Sequence, residues 1–283
     1  MYHYYLLSNM ETMCVMVPVH KPLPAPDEII SLQACRNHLH NYDTYLVFPE
    51  GMNVDKYLAV HNGLKLKPVN PVWLSSIEHY NKMKYGLAFY QLFNRYDFML
   101  TYELDSYIFN ADFNKYNAFS FDYIGAPFYE GYLKALPGAA FIQGGNSGFS
   151  IRNIRRCIEV LQTIKEKFRP EWNFYKKIAS KFPRLKYQLN RLTKNKYDVY
   201  LTDKLAFAFT DIPMNEDLVW SQIVPSLYSS FKVADPISAL KFSFEAQPER
   251  LLKMNNGELP LGCHGWIKNQ HFWKDYIDIK NLI

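Results

Sequence analysis

The sequence predicts an α/β fold in which a mainly parallel central sheet is flanked by helices. Short apolar runs alternate with segments of helical spacing over the first 110 residues, which is the pattern of strands joined by crossover helices. Several of these runs are continuously apolar, as expected for strands that are covered on both faces. At 283 residues, with 48% hydrophobic content, the chain is long enough for one substantial core, or for one core with an appended subdomain.

The first predicted strand is "MCVMVPVH" (13–20), and the proline-rich "KPLPAP" ends it. Pro26 and Asp27 then begin a helix. Its apolar residues repeat at helical spacing: Ile29, Leu32, Cys35 and Leu39. A second strand over 44–49 and a third over 64–69 follow, and a short helix that ends at Gly63 separates them.

A long helix is predicted over about 73–95, and the fourth strand follows in "FMLTYELDSYIF" (98–109). This apolar run contains Glu103 and Asp105, where charge is costly. In parallel sheets, ligands bind beyond the carboxyl ends of the strands, so we interpret the pair as a ligand or metal site. Two residues apart on a strand, they would project to one side and could share Mg²⁺ or Mn²⁺. The alternative is a solvated strand end that pairs with a lysine.

Three further motifs lie in the second half, where helices are predicted over 151–168, around Leu185 to Leu192, and from Asn215. The glycines of "GGNSGFS" (144–150) would let backbone approach a ligand, or would simply form a tight connection between strands. In "NED" (215–217), a carboxylate could act as a general base, although acidic residues also favour a helix start. His264, in "LGCHGW" (261–266), could complete a metal sphere or be structural.

The composition sets limits on class and compartment. No apolar run approaches the length of a membrane span, and the N-terminus lacks the features of a signal peptide. Four cysteines without a C-x-x-C pair favour a reduced, cytoplasmic protein without disulfides. The aromatic content of 17% suits core packing and also platforms for bases and sugar rings.

The net charge of +5 is unevenly distributed. Residues 152–204 hold 15 Lys or Arg and 5 Asp or Glu, so this block carries +10 and the rest of the chain −5. The block is either a solvated helical face or a surface that meets anionic lipid or a phosphate-bearing substrate. No recognisable motif indicates nucleic-acid binding.

The order of the motifs resembles that of the nucleotide-sugar-dependent glycosyltransferases of the GT-A fold. In that superfamily a D-x-D element holds the metal and the ribose, and a glycine loop borders the donor sugar. An x-E-D element lies beneath the acceptor, and a late histidine ligates the metal. "YELDS", "GGNSGFS", "NED" and "CHGW" occupy these places over about residues 13–266. The segments "FDYIGAPF", "GGNSGFSIRN" and "NEDLVWS" are similar to those of a bacterial family of glycosyltransferase-like proteins of poorly defined activity.

The resemblance implies a role for each matching residue. Asp105 and His264 would hold the divalent ion, Asp217 would be the base, and Glu216 would place acceptor or sugar hydroxyls. Glu103 replaces the first acid of D-x-D, so its direct role is open. The donor nucleotide and sugar would contact the following residues: Val17, Pro18, Val19, Asn81, Glu103, Asn146, Ser147 and Gly148.

The predicted function is therefore transfer of a sugar, with inversion, from a nucleoside-diphosphate sugar to a glycan or lipid-linked glycan. UDP-sugar is the expected donor, Mn²⁺ or Mg²⁺ the expected metal, and bacterial surface polysaccharide the expected product. The enzyme would be of the hexosyltransferase type, cytoplasmic or peripheral at the inner membrane face. A nucleotidyltransferase and a non-catalytic sugar-binding module are the alternatives, and release of UDP with acceptor present would separate them.

One GT-A domain over 1–283 is expected. It comprises a nucleotide-binding half (13–110), a sugar and acceptor half (111–266) that includes the basic segment, and a tail (267–283).

Overall fold

A computed structural model describes residues 11–167 and 215–279 of the chain. Its centre is a six-stranded sheet in the order β3-β2-β1-β4-β9-β6. Strands β1 to β4 are parallel, whereas β9 runs antiparallel to both β4 and β6. The strands are β1 Met13–Pro18, β2 Asp43–Pro49, β3 Lys65–Val69, β4 Phe98–Tyr102, β6 Tyr123–Ile124 and β9 Phe149–Asn153. The predicted α/β class with a mainly parallel sheet is confirmed.

Two smaller sheets lie outside the central one. One is a pair, β7 Pro127–Tyr129 with β8 Phe141–Gly145. The other joins β5 Tyr107–Ile108, β10 Ser243–Phe244 and β11 Gly262–Cys263. In it β11 pairs with β5, so Gly262 and Cys263 lie beside the segment that follows β4.

The helices are α1 Pro26–His38, α2 Asp55–Val60, α3 Ile77–Lys84, α4 Leu87–Gln91, α5 Ile154–Lys167, α6 Glu216–Leu218, α7 Val224–Leu227, α8 Pro236–Phe242, α9 Pro248–Met254 and α10 Gln270–Trp273. A π-helical turn, Val219–Ile223, joins α6 to α7. Asn215 precedes α6, but its side chain makes no capping hydrogen bond.

The single helix predicted over 73–95 is wrong, because the structure divides it. A 3₁₀ turn, Pro71–Leu74, comes first, and α3 and α4 are separated by Tyr85 and an extended Gly86. The Lys84 carbonyl near the break accepts from Tyr90 Oη at 2.8 Å and from Trp220 Nε1 at 2.9 Å. Tertiary hydrogen bonds thus bind a carbonyl at the end of the helix.

Both faces of the central sheet are buried, which explains the continuous apolar run of β1. Val15 and Val17 pack in one core with α1, whereas Cys14 and Met16 pack in a second core with α4 and α5. Successive strand residues point to opposite faces, so each face needs its own apolar set.

Residues 168–204, most of the basic block, lie outside the described residues. Within the described part of the block, Arg155 pairs with Asp97, and Arg156 pairs with Asp122 and Glu159. Over residues 11–167 and 215–279, none of the helices combines the length and apolarity that a bilayer crossing requires. All four cysteines are free and buried.

Candidate metal and substrate site

Glu103 and Asp105 lie in the turn directly after β4 rather than within a strand. Glu103 N donates to Gly148 O at 2.9 Å, and Trp266 N donates to Asp105 O at 3.1 Å, so neighbouring segments hold the turn. His264 follows β11. One ligand atom from each of Glu103, Asp105 and His264 lies within 4.8 Å of the others. The structure therefore brings together the carboxylates and the histidine that are 159 or more residues apart in sequence.

The imidazole of His264 faces carboxylate oxygens on both sides. Its Nε2 lies 3.1 Å from Asp105 Oδ1 and 3.6 Å from Glu103 Oε2, and its Nδ1 lies 3.0 Å from Glu245 Oε1. Carboxylates are acceptors only, so a cation, either a proton or a metal ion, must lie on the Nε2 side. The carboxylate oxygens suit Mn²⁺ or Mg²⁺, and the imidazole could complete the set of ligands.

The pKa values of His264 and Glu103 agree with a site that attracts positive charge. Burial alone would lower the pKa of His264, but hydrogen bonds to the surrounding carboxylates raise it well above its ordinary value. Burial alone would raise the pKa of Glu103, but the Lys84 ammonium, His264 and the Tyr80 hydroxyl hold it far below its usual range. The Tyr80 hydroxyl donates to Glu103 Oε1 at 2.7 Å.

Glu245 is a site residue that the sequence analysis missed. Its side chain is 11% exposed, and it forms the Nδ1 contact with His264. Glu245 lies beside His264 because β10 pairs with β11 and aligns Phe244 with Cys263, so that the next residues of the two strands are neighbours. Recognising Glu245 from sequence would require predicting this strand pairing. A two-residue strand is too short to be recognised from sequence.

The loop between β8 and β9 shapes the site through backbone proximity. A Cβ atom on Gly148 would lie 2.2 Å from the His264 ring, so only glycine lets the ring pack there. Asn146 Oδ1 accepts from Gly148 N at 2.8 Å. Ser147 is 9% exposed, and its Oγ accepts from Lys84 Nζ at 3.3 Å. Ser147 and Gly148 therefore contact the site's own side chains.

Glu216 belongs to a buried ion cluster, and the expected placing of acceptor or sugar hydroxyls by this residue stays a prediction. Its side chain is 2% exposed and accepts from Arg152 at 2.6 Å, while Lys84 Nζ lies 2.6 Å from its other oxygen. Lys84 and Arg152 are fully buried, and Lys84 also lies 3.3 Å from Glu103 Oε1. Lys84, a second missed residue, thus links the metal-type cluster to the start of α6.

Two cavities flank the cluster. The first, about 510 Å³, includes Pro18, Val19, Tyr80, Glu103 and Asp105 in its walls. Val17 is fully buried, and Asn81 does not line this cavity.

The Asn81 side chain instead accepts from the Glu216 backbone N–H at 3.1 Å. The side chains of Val17 and Asn81 are therefore not part of this cavity wall, whereas their neighbours Pro18, Val19 and Tyr80 are. The contacts expected from the backbone at Val17 and from the helix near Asn81 stay predictions.

The second cavity, about 310 Å³, has aromatic walls and polar groups at its edges. Phe128, Tyr129 and Tyr132 form the aromatic part. The polar part includes Asn146, Asp217 and Glu245, so this cavity meets the cluster through the carboxylate that contacts His264.

Asp217 differs from the ordinary aspartate that its sequence motif suggests. Burial, followed by the charge of neighbouring Glu216, raises its pKa to about 7. A carboxylate of this pKa is a stronger base than a solvated one, and about half of it is ionised at neutral pH.

The fold and site thus define an α/β protein with a metal-type cluster at the carboxyl edge of its parallel strands. Residues 63–264 match the family described as "Protein of unknown function (DUF5672)", and the chain belongs to this family. A search of curated protein sequences finds no match.

Solved structures of similar shape include three proteins named as glycosyltransferases. Mouse xyloside xylosyltransferase 1, in its apo form, is 12% identical with a TM-score of 0.47, over 90% of this chain and 97% of that one. The galactosyltransferase LgtC, in complex with donor and acceptor sugar analogues, is 12% identical with a TM-score of 0.46, over 89% and 86%. The bifunctional glycosyltransferase WbbM is 10% identical with a TM-score of 0.45, over 91% of this chain and 46% of that one.

Proposed function

We propose that the protein is a metal-dependent glycosyltransferase that uses a nucleoside-diphosphate sugar, with UDP-sugar as the expected donor. The observation that carries this proposal is the arrangement of a Glu103, Asp105 and His264 cluster between two cavities, one of which contains an aspartate of raised pKa. Two substrates and one metal need such an arrangement. The motif order described above supports the same class.

The first cavity suits the donor nucleotide. Its volume of about 510 Å³ lies within the range of small-molecule sites, and it opens at the carboxyl ends of β1 and β4. Lys21 and His20 contribute basic groups to its wall, and Tyr57 and Tyr80 contribute aromatic ones. Phosphates and a nucleobase are recognised by groups of these two kinds.

Asp105 and His264 would hold the divalent ion, with Glu103 close enough to contribute. A bound divalent ion supplies positive charge that stabilises a departing nucleoside diphosphate. Lys84, 3.3 Å from Glu103, holds that carboxylate in place.

The second cavity suits the acceptor, because aromatic faces with polar groups at the edges bind sugar rings. Asp217 lines it and would take the proton from the acceptor hydroxyl. A base on the acceptor side supports direct displacement and therefore inversion at the anomeric carbon. An NMR assignment of the product that gave retained configuration would contradict this mechanism.

We propose bacterial surface polysaccharide, such as capsule, O-antigen or lipopolysaccharide, as the product class, with peripheral binding to the inner membrane face. The support for membrane binding is the +10 balance of residues 152–204. The support for the product class is the resemblance of the sequence to a bacterial family of glycosyltransferase-like proteins. Anionic vesicles should bind the protein less in high salt and after charge reversal at Lys176, Lys177 and Lys181. Equal binding to neutral and anionic vesicles would contradict this part of the proposal.

The decisive experiment measures nucleotide release from a panel of UDP- and GDP-sugars with Mn²⁺ and glycan acceptors. Asp105→Ala should abolish Mn²⁺-dependent nucleotide binding, and Asp217→Asn should lower turnover about 10²-fold or more with donor binding little changed. Asp275→Asn, at an exposed position, is the matched control. Unchanged nucleotide and Mn²⁺ affinity in Asp105→Ala would refute the metal assignment.

A further inference from the structure

We propose that Glu245 is a positioning residue that fixes the His264 imidazole with its proton on Nδ1, so that Nε2 is directed at a divalent ion held with Asp105. The inference rests on the metal-dependent function proposed above. It assigns a role to a residue that no sequence motif includes.

The backbone sets Glu245 beside His264 through a short parallel pairing. Ser243 pairs with Gly262 and Phe244 with Cys263, and His264 N donates to Phe244 O at 2.9 Å. Asn269 Nδ2 donates to the Glu245 carbonyl at 3.3 Å and so holds the backbone at that residue. The two side chains therefore meet because of the register of the strands that directly precede them.

The chemistry of the pair decides which nitrogen carries the proton. A carboxylate accepts and cannot donate, so the 3.0 Å contact with Glu245 Oε1 requires a proton on His264 Nδ1. The neutral ring then has its lone pair on Nε2. This nitrogen lies 3.1 Å from Asp105 Oδ1, where a shared cation would be bound by both residues.

Burial strengthens the hydrogen bond between Glu245 and His264. The His264 side chain is 9% exposed and that of Glu245 is 11% exposed, so water competes little for the hydrogen bond. Gly148 packs against the opposite part of the ring and leaves it little room to rotate. Carboxylates that bind the second nitrogen of a metal-ligating histidine orient the ring and raise its basicity.

Glu245 also lines the second cavity. The carboxylate that orients the metal ligand is therefore part of the wall that would contact the acceptor. The site in this way joins the two cavities through one side chain.

The test compares Mn²⁺ affinity in Glu245→Gln, Glu245→Ala and the wild type, measured by electron paramagnetic resonance of free Mn²⁺ with UDP or GDP present. The Ala variant should bind Mn²⁺ about 10–100-fold more weakly. The Gln variant should lie between, because its amide oxygen still accepts from Nδ1–H but the negative charge is lost. Glu249→Gln, which breaks an exposed carboxylate contact with His271, is the matched control and should bind as the wild type does.

The outcomes separate this inference from the function on which it rests. Wild-type Mn²⁺ binding that is unchanged in both Glu245 variants would overturn the positioning role and leave the proposed function intact. A wild type that binds no Mn²⁺ with either nucleotide would overturn both. Circular dichroism of each variant without metal checks folding, and the near-isosteric Gln variant keeps the test informative if the Ala variant unfolds.

Discussion

Glu216→Gln tests whether the ion cluster around Lys84 and Arg152 is structural. Glu216 is 2% exposed, and each of its oxygens lies 2.6 Å from a nitrogen of a fully buried cation. The substitution keeps the shape of the side chain and removes its negative charge. Among the described residues, Lys84 then keeps an ion pair only with Glu103. Arg152 loses its ion pair.

The magnitude follows from burial. Loss of one partner from a buried ion pair costs about 3–5 kcal/mol, because a charge remains without compensation in a medium of low polarity. Here one anion serves two cations, so we expect the upper part of that range. A domain at the lower end of the ordinary range of stability, about 5–15 kcal/mol, would be left close to unfolding.

Urea unfolding gives the free energy of unfolding and the m value for each variant. Glu159→Gln is the control, because its pair with Arg156 is 47% exposed at the glutamate and should be worth less than about 1 kcal/mol. The double variant Glu216→Gln with Arg152→Met should lose less than the sum of the single changes, by about 0.5–3 kcal/mol.

A loss below about 1 kcal/mol in Glu216→Gln, or strict additivity in the double variant, would refute this reasoning. A stable Glu216→Gln protein with a raised acceptor KM would instead support the contact with acceptor hydroxyls that the sequence motif suggests.

Three other substitutions have expected outcomes. Asp217→Asn should raise the melting temperature at pH 8 but change it little at pH 4. The pKa of Asp217 is about 7 in the folded state and lower in the unfolded state, so the wild type loses stability as the pH rises towards 7. The asparagine variant has no such loss, because its amide carries no charge. An equal shift at both pH values would contradict that pKa. Gly148→Ala should lower the free energy of unfolding by about 1–3 kcal/mol and weaken Mn²⁺ binding, because the new methyl group would lie 2.2 Å from the His264 ring. An unchanged Mn²⁺ affinity would show that the ring moves to accommodate the methyl group. Tyr80→Phe should lower the free energy of unfolding by about 1.5–3 kcal/mol, because it removes the 2.7 Å hydrogen bond to Glu103. An unchanged free energy of unfolding would mean that water replaces the hydroxyl.

The sequence predicts the parallel half of the fold well because its strands are buried on both faces and so are apolar without interruption. The boundaries of β1, β2 and β3 agree with prediction to within about two residues. The helix over 73–95 fails because its break at Tyr85 and Gly86 depends on Trp220 and Tyr90, which bind the Lys84 carbonyl. Local spacing contains no information about such tertiary partners.

In the candidate site, too, some residues were predictable from local sequence and others depend on tertiary packing. Asp105 and His264 were recognisable because charge in an apolar strand and a histidine between glycines are unusual in sequence. Glu245 and Lys84 were not, because a glutamate and a lysine are ordinary on any surface. Their importance comes from being 11% and 0% exposed, which only the packed structure determines.

The two cavities are built from separate stretches of the chain. All residues that line the first lie between Pro18 and Asp105, and all that line the second lie between Pro127 and Ala246. A chimera of two relatives, joined between 105 and 127, would therefore inherit one cavity from each parent. The pairing of β4 with β9 would be the seam that must match, and His264 would have to meet Asp105 across it. Recombination at this position would exchange the walls of one cavity and leave those of the other unchanged; under the proposed function, it would change the specificity for one substrate only.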